Sequence, residues 1–162
     1  AELFALDLQM VILGTGDEKY EKLVRLWARR YPDKLAVVPR HDEEMAHWIE
    51  AGADVFLMPS RYEPCGLNQM YSLRYGTVPI VRKTGGLADS VVDVDPDGGG
   101  GTGFVFEAYQ PEEMLEAVRR MLAIYPRKRV WRAIMKRGMR QDFSWAASAR
   151  KYIDLYKRIT EA

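Results

Sequence analysis

Pro59-Ser60-Arg61-Tyr62-Glu63-Pro64-Cys65-Gly66-Leu67-Asn68-Gln69 joins an apolar run, Asp54 to Met58, to a helical pattern, Leu67 to Tyr75. A buried strand, a polar turn with one carboxylate, a glycine and a helix start is how α/β proteins build ligand sites at the carboxyl ends of their strands. Unpaired N–H groups at a helix start attract anions, and Glu63 stands beside them with the opposite preference. The pairing predicts a ligand with a phosphate part and a hydroxyl-rich part. Pro64 fixes the backbone after Glu63, and Gly66 permits close approach of a ligand. Leu67 and Asn68 then present free N–H groups where a diphosphate would lie. A carboxylate aimed at sugar hydroxyls makes charge-assisted hydrogen bonds, which are stronger than neutral ones.

Outward from this turn, apolar runs and helical periods alternate. Leu8 to Leu13 reads as a strand ending in Gly14-Thr15-Gly16. Asp17 caps the following helix, whose core face is expected to hold Tyr20, Leu23, Val24 and Trp27. Leu35 to Val38 is a second strand, and Asp42 caps a helix carrying Met45, Trp48 and Ile49. Val55 to Met58, Val78 to Val81 and Phe104 to Phe106 are further strands, with a short helix from Gly85 through Val91. From Pro111 onward the chain reads as two or three helices. This alternation predicts one parallel α/β sheet covered by helices on both faces. The turns after Leu13, Val38, Met58 and Val81 then share one edge. The run Gly98 to Gly101 is expected to be a flexible loop, and no internal repeat or second domain is evident.

Other features narrow the chemistry. The 24 basic and 23 acidic residues nearly cancel, which argues against a nucleic-acid or membrane-surface partner. Nine Lys and Arg fall between Arg119 and Arg140 without an acid, and are read as solvated helix faces. One cysteine, Cys65, rules out an internal disulfide and fits a reducing cytoplasm. No apolar run approaches a membrane span, and the N-terminus lacks the basic start of a secretory signal. Gly14-Thr15-Gly16 lacks the third glycine of a dinucleotide fingerprint and is read as a tight turn. His41 and His47 have no partners at metal-ligand spacing, so no metal is expected. His41 lies on the ligand edge, where its ring could stack on a base. Cys65 has no local histidine and is read as packing, not as a nucleophile. Thr84-Gly85-Gly86-Leu87-Ala88-Asp89 repeats the glycine-and-helix logic one strand later, so the two turns are expected to form a cradle.

These residues resemble bacterial glycogen synthases and plant starch synthases, which elongate α-1,4-glucan from ADP-glucose. The resemblance is carried by Pro59 to Gln69, by Tyr75-Gly76-Thr77-Val78-Pro79, and by Arg82-Lys83-Thr84-Gly85-Gly86-Leu87-Ala88-Asp89. Gly52-Ala53-Asp54 and Phe143-Ser144-Trp145 leading into Tyr152 add to it, and the likeness runs from about Leu8 to the end. It implies two Rossmann-like domains (the GT-B architecture) with the active cleft between them. Residues 1–162 would be part of the C-terminal, nucleotide-sugar-binding domain, with its C-terminal helices over about 111–162. The resemblance makes Glu63 the active-site glutamate that engages the donor glucose. Gly66 and Leu67 match the helix start that holds the diphosphate, and Asn68 follows them. Thr84, Gly85 and Gly86 match the second glycine turn. Cys65 matches a cysteine lining the site, and His41 stands where the family commonly stacks a tyrosine on adenine. No cofactor is implied beyond the donor, ADP-glucose, with UDP-glucose the alternative.

Two departures stand out: Asn68 replaces the family's usual threonine, and His41 the tyrosine. The domain's first strand and helix, with the Arg and Lys-Gly cations that hold the donor phosphates, are not found before Leu8. Arg82 and Lys83 are the cations that could partly replace them. The missing N-terminal domain and the α-glucan acceptor complete the expected partners, with no nucleic acid or membrane among them. The isolated chain is expected to be inactive. The expected location is the cytoplasm of a bacterium, or a plastid if the source is a plant. Two alternatives remain at this point: a noncatalytic nucleotide-sugar or glucan-binding module, and a related retaining glucosyltransferase with another acceptor. The Cys65-Gly66-Leu67 form of the motif disfavours the last.

Overall fold

A computed structural model describes residues 2–160. The expected strands and helices form in the expected order. They are α1 (Glu2–Ala5), β1 (Met10–Leu13), α2 (Glu18–Arg30), β2 (Leu35–Val38), α3 (Glu43–Gly52), β3 (Val55–Met58) and α4 (Asn68–Tyr75). After these come β4 (Val78–Arg82), α5 (Gly85–Ser90), β5 (Phe104–Phe106), α6 (Pro111–Ile124), α7 (Lys128–Met139) and α8 (Trp145–Thr160). Local chemistry sets the boundaries. The Asp17 carboxylate accepts the Lys19 N–H at 2.8 Å and the Asp42 carboxylate accepts the Met45 N–H at 2.9 Å, which starts α2 and α3. Gly76, at φ 86°, ends α4 in the left-handed conformation. α1 was not anticipated, because four residues carry no readable helical period.

All strand pairs are parallel, but the expected single sheet is divided: β1 pairs with β2, and β3, β4 and β5 form a separate three-stranded sheet. A doubly wound sheet has the strand order 3-2-1-4-5-6. Here β2-β1 occupy the first two places and β3-β4-β5 the last three, so the central place is unfilled. A cavity of about 1190 Å³ separates the two pieces, walled by Met10, Val11 and Leu13 on one side and Val55 and Leu57 on the other.

The larger sheet holds the core. Successive strand residues face opposite sides, so Val78 and Ile80 pack with Val118, Met121, Trp131 and Ile134 of α6 and α7. Val81 turns the other way, against Leu73 of α4 and Leu87 of α5. The smaller sheet is poorly covered. No residue of α2 is buried; Tyr20 and Leu23, expected on its core face, are exposed, as is Trp48 of α3. The reason is that the sheet under α2 and α3 has two strands and an open inner edge.

The Gly98–Gly101 loop is also not free. Arg137 donates to the carbonyls of Gly98 at 3.0 Å, Gly100 at 2.7 Å and Gly101 at 2.7 Å. The basic run is in part internally used as well: Arg120 pairs with Asp93 at 2.9 Å, and Arg127 donates to the Asp97 carbonyl at 3.1 Å. Among the described residues no helix is long and apolar enough to cross a membrane.

Glu50 is a buried carboxyl whose Oε2 has no partner among the described residues. Burial raises its pKa above the usual 4.5, against a smaller opposing pull from His47. The folded state therefore holds this proton more tightly than the unfolded chain does. The stability it contributes is complete below the unfolded value and is lost as pH rises through the folded value. Glu50→Gln should leave stability nearly unchanged in acid and raise it at neutral pH, flattening the pH dependence of the urea midpoint. A parallel loss at both pH values would contradict this.

Candidate functional site

The turn after β3 and the turn after β4 pack backbone against backbone. Gly86 N–H donates to the Glu63 carbonyl at 3.1 Å. Gly85 takes φ 44°, and a Cβ there would collide with the Glu63 carbonyl, while one on Gly86 would collide with that of Cys65. The glycine pair is thus the condition for this contact, since any side chain would push the turns apart.

Three side chains hold the Glu63 turn from beneath. Gln69, buried at 1% exposure, directs Nε2 to the carbonyls of Cys65 at 3.0 Å and Gly66 at 3.1 Å and to Ser90 Oγ at 3.1 Å. Ser90 Oγ in turn donates to the Gly86 carbonyl at 2.6 Å, so α5 and the turn share one network. At the other end Arg82 donates through Nε to the Ser60 carbonyl at 3.0 Å, through Nη2 to that of Arg61, and through Nη1 to that of Glu107 at 3.1 Å. Tyr109 lies under its guanidinium.

What this leaves unpaired beside the turn is a small set of polar groups. The Glu63 side chain is half-buried and makes no hydrogen bond with any described residue. Leu67 and Asn68 head α4, and no side chain caps it. The N–H groups of Leu67 and Asn68 find no acceptor among the described residues, so a half-exposed helix start stands beside one free carboxylate. Gly66, at φ 72°, makes the bend between them. Cys65 is exposed, with Sγ 3.4 Å from the Gly66 carbonyl and no histidine bonded to it. Thr84 begins α5 without its hydroxyl capping the helix.

The structure therefore brings Glu63, Cys65, Gly66, Leu67, Asn68, Thr84, Gly85 and Gly86 together. His41 is apart: it is exposed in the turn after β2, at the carboxyl edge of the smaller sheet, without a hydrogen bond to the Glu63 turn. Arg82 and Lys83, which could only partly replace the phosphate-holding cations, are both engaged within the chain. Arg82 is spent on three carbonyls, and Lys83 Nζ pairs with Glu107 Oε1 at 2.6 Å. That hydrogen bond raises the lysine's pKa and lowers the glutamate's. The supporting roles of Gln69, Arg82 and Ser90 went unread in the sequence. A glutamine in the first turn of a helix and an arginine closing an apolar strand were the available signals, and both have ordinary solvent-facing explanations.

A family model described as glycosyl transferases group 1 matches residues 4–137. The chain belongs to the glycosyl transferases group 1 family. This group 1 glycosyl transferase chain is 54% identical over 159 residues to the glycogen synthase 1 of Methylococcus capsulatus, covering 96% of this chain and 32% of that protein. It is 55% identical to the glycogen synthase of Thermotoga maritima, covering 94% of this chain and 32% of that one. Among solved structures, the catalytic domain of starch synthase IV from Arabidopsis thaliana, bound to ADP and acarbose, superposes with a TM-score of 0.80 at 35% identity. That match covers 95% of this chain and 33% of the other. The chain thus spans about a third of the length of these relatives.

Because a Cβ on Gly86 would strike the Cys65 carbonyl, Gly86→Ala should destabilise the chain by about 1–3 kcal/mol from overpacking. Gln69→Leu should cost about 1–3 kcal/mol by orphaning buried acceptors. Urea unfolding measures both, and an unchanged midpoint for either would mean the turns are not interlocked.

Proposed function

We propose that residues 1–162 are the nucleotide-sugar-binding part of a glycogen or starch synthase, which transfers glucose from ADP-glucose to the non-reducing end of an α-1,4-glucan with retention. The observation that carries this reading is the free Glu63 carboxylate set beside the uncapped start of α4, with the Gly85-Gly86 turn closed against it. The relatives named glycogen synthase and starch synthase support the choice of sugar chemistry.

In this reading the N–H groups of Leu67 and Asn68 take the donor diphosphate, where the positive end of the helix offsets its charge. Gly66, Gly85 and Gly86 let the ligand approach the backbone, and Thr84 and Cys65 line the cleft. Glu63 accepts hydrogen bonds from the glucose hydroxyls and offsets positive charge developing at C1. The bond from C1 to the diphosphate oxygen breaks with its electron pair leaving on the diphosphate. The acceptor's 4-oxygen bonds to C1 from the same face, and its proton passes to the departing group. The acceptor and the N-terminal domain supply the rest of the cleft. His41 contributes a ring for the base once the two sheet pieces are held together.

The test is Glu63→Ala in the full-length protein. Transfer from ADP-glucose should fall by about a hundredfold to a thousandfold, the usual loss when one electrostatic group at a reacting centre is removed, while ADP binding stays within a few fold. Near-normal transfer would remove Glu63 from the centre of the reaction. Faster transfer from UDP-glucose than from ADP-glucose would overturn the donor assignment.

A further inference from the structure

The outer face of α7 carries a row of cations that the fold itself does not use. Most of the basic residues between Arg119 and Arg140 have internal partners. Arg120 pairs with Asp93, and Arg119 lies 3.7 Å from Glu116. Arg127 and Arg137 donate to loop carbonyls, and Lys128 Nζ sits 3.6 Å from the centre of the Tyr125 ring. Arg129, Arg132, Lys136 and Arg140 remain. Each is exposed, and none forms an ion pair or a side-chain hydrogen bond with a described residue. Their spacing of three, four and four residues sets them one turn apart within an arc of about 80°. That arc lies opposite the buried Trp131, Ile134 and Gly138.

The row is electrostatically unrelieved. Like charges at i,i+3 and i,i+4 destabilise a helix. The first turns of α2, α3 and α6 each hold two glutamates, whereas that of α7 holds no acid. Lys136 and Arg140 suit the negative end of the helix, but Arg129 stands at the positive end, where a cation is disfavoured. We infer that this face of α7 docks an acidic α-helix of a partner protein, with carboxylates recurring once per turn. A carboxylate opposite each cation removes the repulsion and forms charge-assisted hydrogen bonds with the guanidinium groups.

Pitch selects a helix as the occupant. The four cations span about 16 Å, at about 5.5 Å for each interval. A second helix laid alongside at a shallow angle repeats at the same interval. Same-face residues of a strand recur about every 6.8 Å, so an acidic strand would slip by about 4 Å over the row. The balance of 24 basic and 23 acidic residues gives no broad positive field for a nucleic acid or an anionic membrane. Met139, 41% exposed, borders the C-terminal half of the row. It offers an apolar contact that a protein helix uses and an inorganic anion does not. A second copy of this chain is a poorer match: α6 presents Glu112 and Glu116 one turn apart, and Arg119 then reverses the sign. Exposed ion pairs are individually weak and are screened by salt, so the contact is a transient one. The inference rests on charge placement and not on the donor chemistry.

The test titrates the full-length protein into a labelled, alanine-rich helical peptide and follows fluorescence anisotropy. The peptide carries glutamates at the same three, four, four spacing, with a leucine flanking them. Binding should saturate at low ionic strength and weaken by about tenfold or more between about 0.01 M and 1 M salt, as the Debye length falls from about 30 Å to about 3 Å. A peptide of the same composition with its glutamates spread over all faces should bind about fivefold more weakly or worse. The double substitution Arg132→Gln and Lys136→Gln should weaken binding of the spaced peptide by about fivefold. Transfer of glucose from ADP-glucose should be unchanged in that variant, which keeps this outcome separate from any failure of the donor site. No binding at about 1 mM peptide and low salt would overturn the inference. Equal binding of the two peptides, or undiminished binding to the double variant, would do the same. Tighter binding of inorganic polyphosphate or of a single-stranded oligonucleotide would overturn it in favour of a non-helical polyanion. Salt-sensitive self-association of the protein, lost in the double variant, would make a second copy the occupant instead.

Discussion

The candidate site depends on the absence of side chains at two adjacent positions. Gly85 and Gly86 allow the turn after β4 to lie directly on the Glu63–Cys65 backbone, where any Cβ would strike a carbonyl. The direct contact turns two loops into one wall. Gln69 and Ser90 then occupy the backbone acceptors on the inner side, and Arg82 those at Ser60 and Arg61. With these groups satisfied internally, the Glu63 carboxylate and the first N–H groups of α4 are left without partners among the described residues. Preorganised donors of this kind act on a ligand's charge without reorganising when it binds.

Arginine use illustrates how proximity in sequence misleads. Arg82 and Lys83 sit at the end of β4, beside the cleft, and a phosphate role is the natural expectation. Yet an arginine presents five donors in a rigid fork, and here three carbonyls and an aromatic face take that fork up. Its positive charge is spent on holding the loop that carries Glu63. Lys83 is committed to Glu107. Neither cation is therefore left unpaired beside the Glu63 turn, where the unpaired donors at the helix start are backbone N–H groups.

Much was legible in the residues. Aspartates before periodic segments located the starts of α2 and α3, and short β-branched runs gave the five strands, because capping and alternation are local effects. The Glu63 turn was legible because its proline and glycines constrain the backbone where they stand. The division of the sheet was not legible in the strand periods, although the resemblance implied it, since the domain's first strand and helix are not found before Leu8. Tyr20 and Leu23 follow helical spacing faithfully but remain exposed, for a period identifies a face without specifying what covers it. The Gln69 network was hidden for a similar reason: its partners Cys65, Gly66 and Ser90 are brought together by the packing of α4 against α5.

The account stands or falls on where a diphosphate rests. A crystal structure of the full-length protein with ADP tests it most directly. The expected result places diphosphate oxygens at about 3 Å from the N–H groups of Leu67 and Asn68, beside the Gly85-Gly86 turn, with the Glu63 carboxylate bordering the space beyond the terminal phosphate and Arg82 still bound to its carbonyls. A diphosphate seated elsewhere, with those two N–H groups facing only solvent, would contradict it.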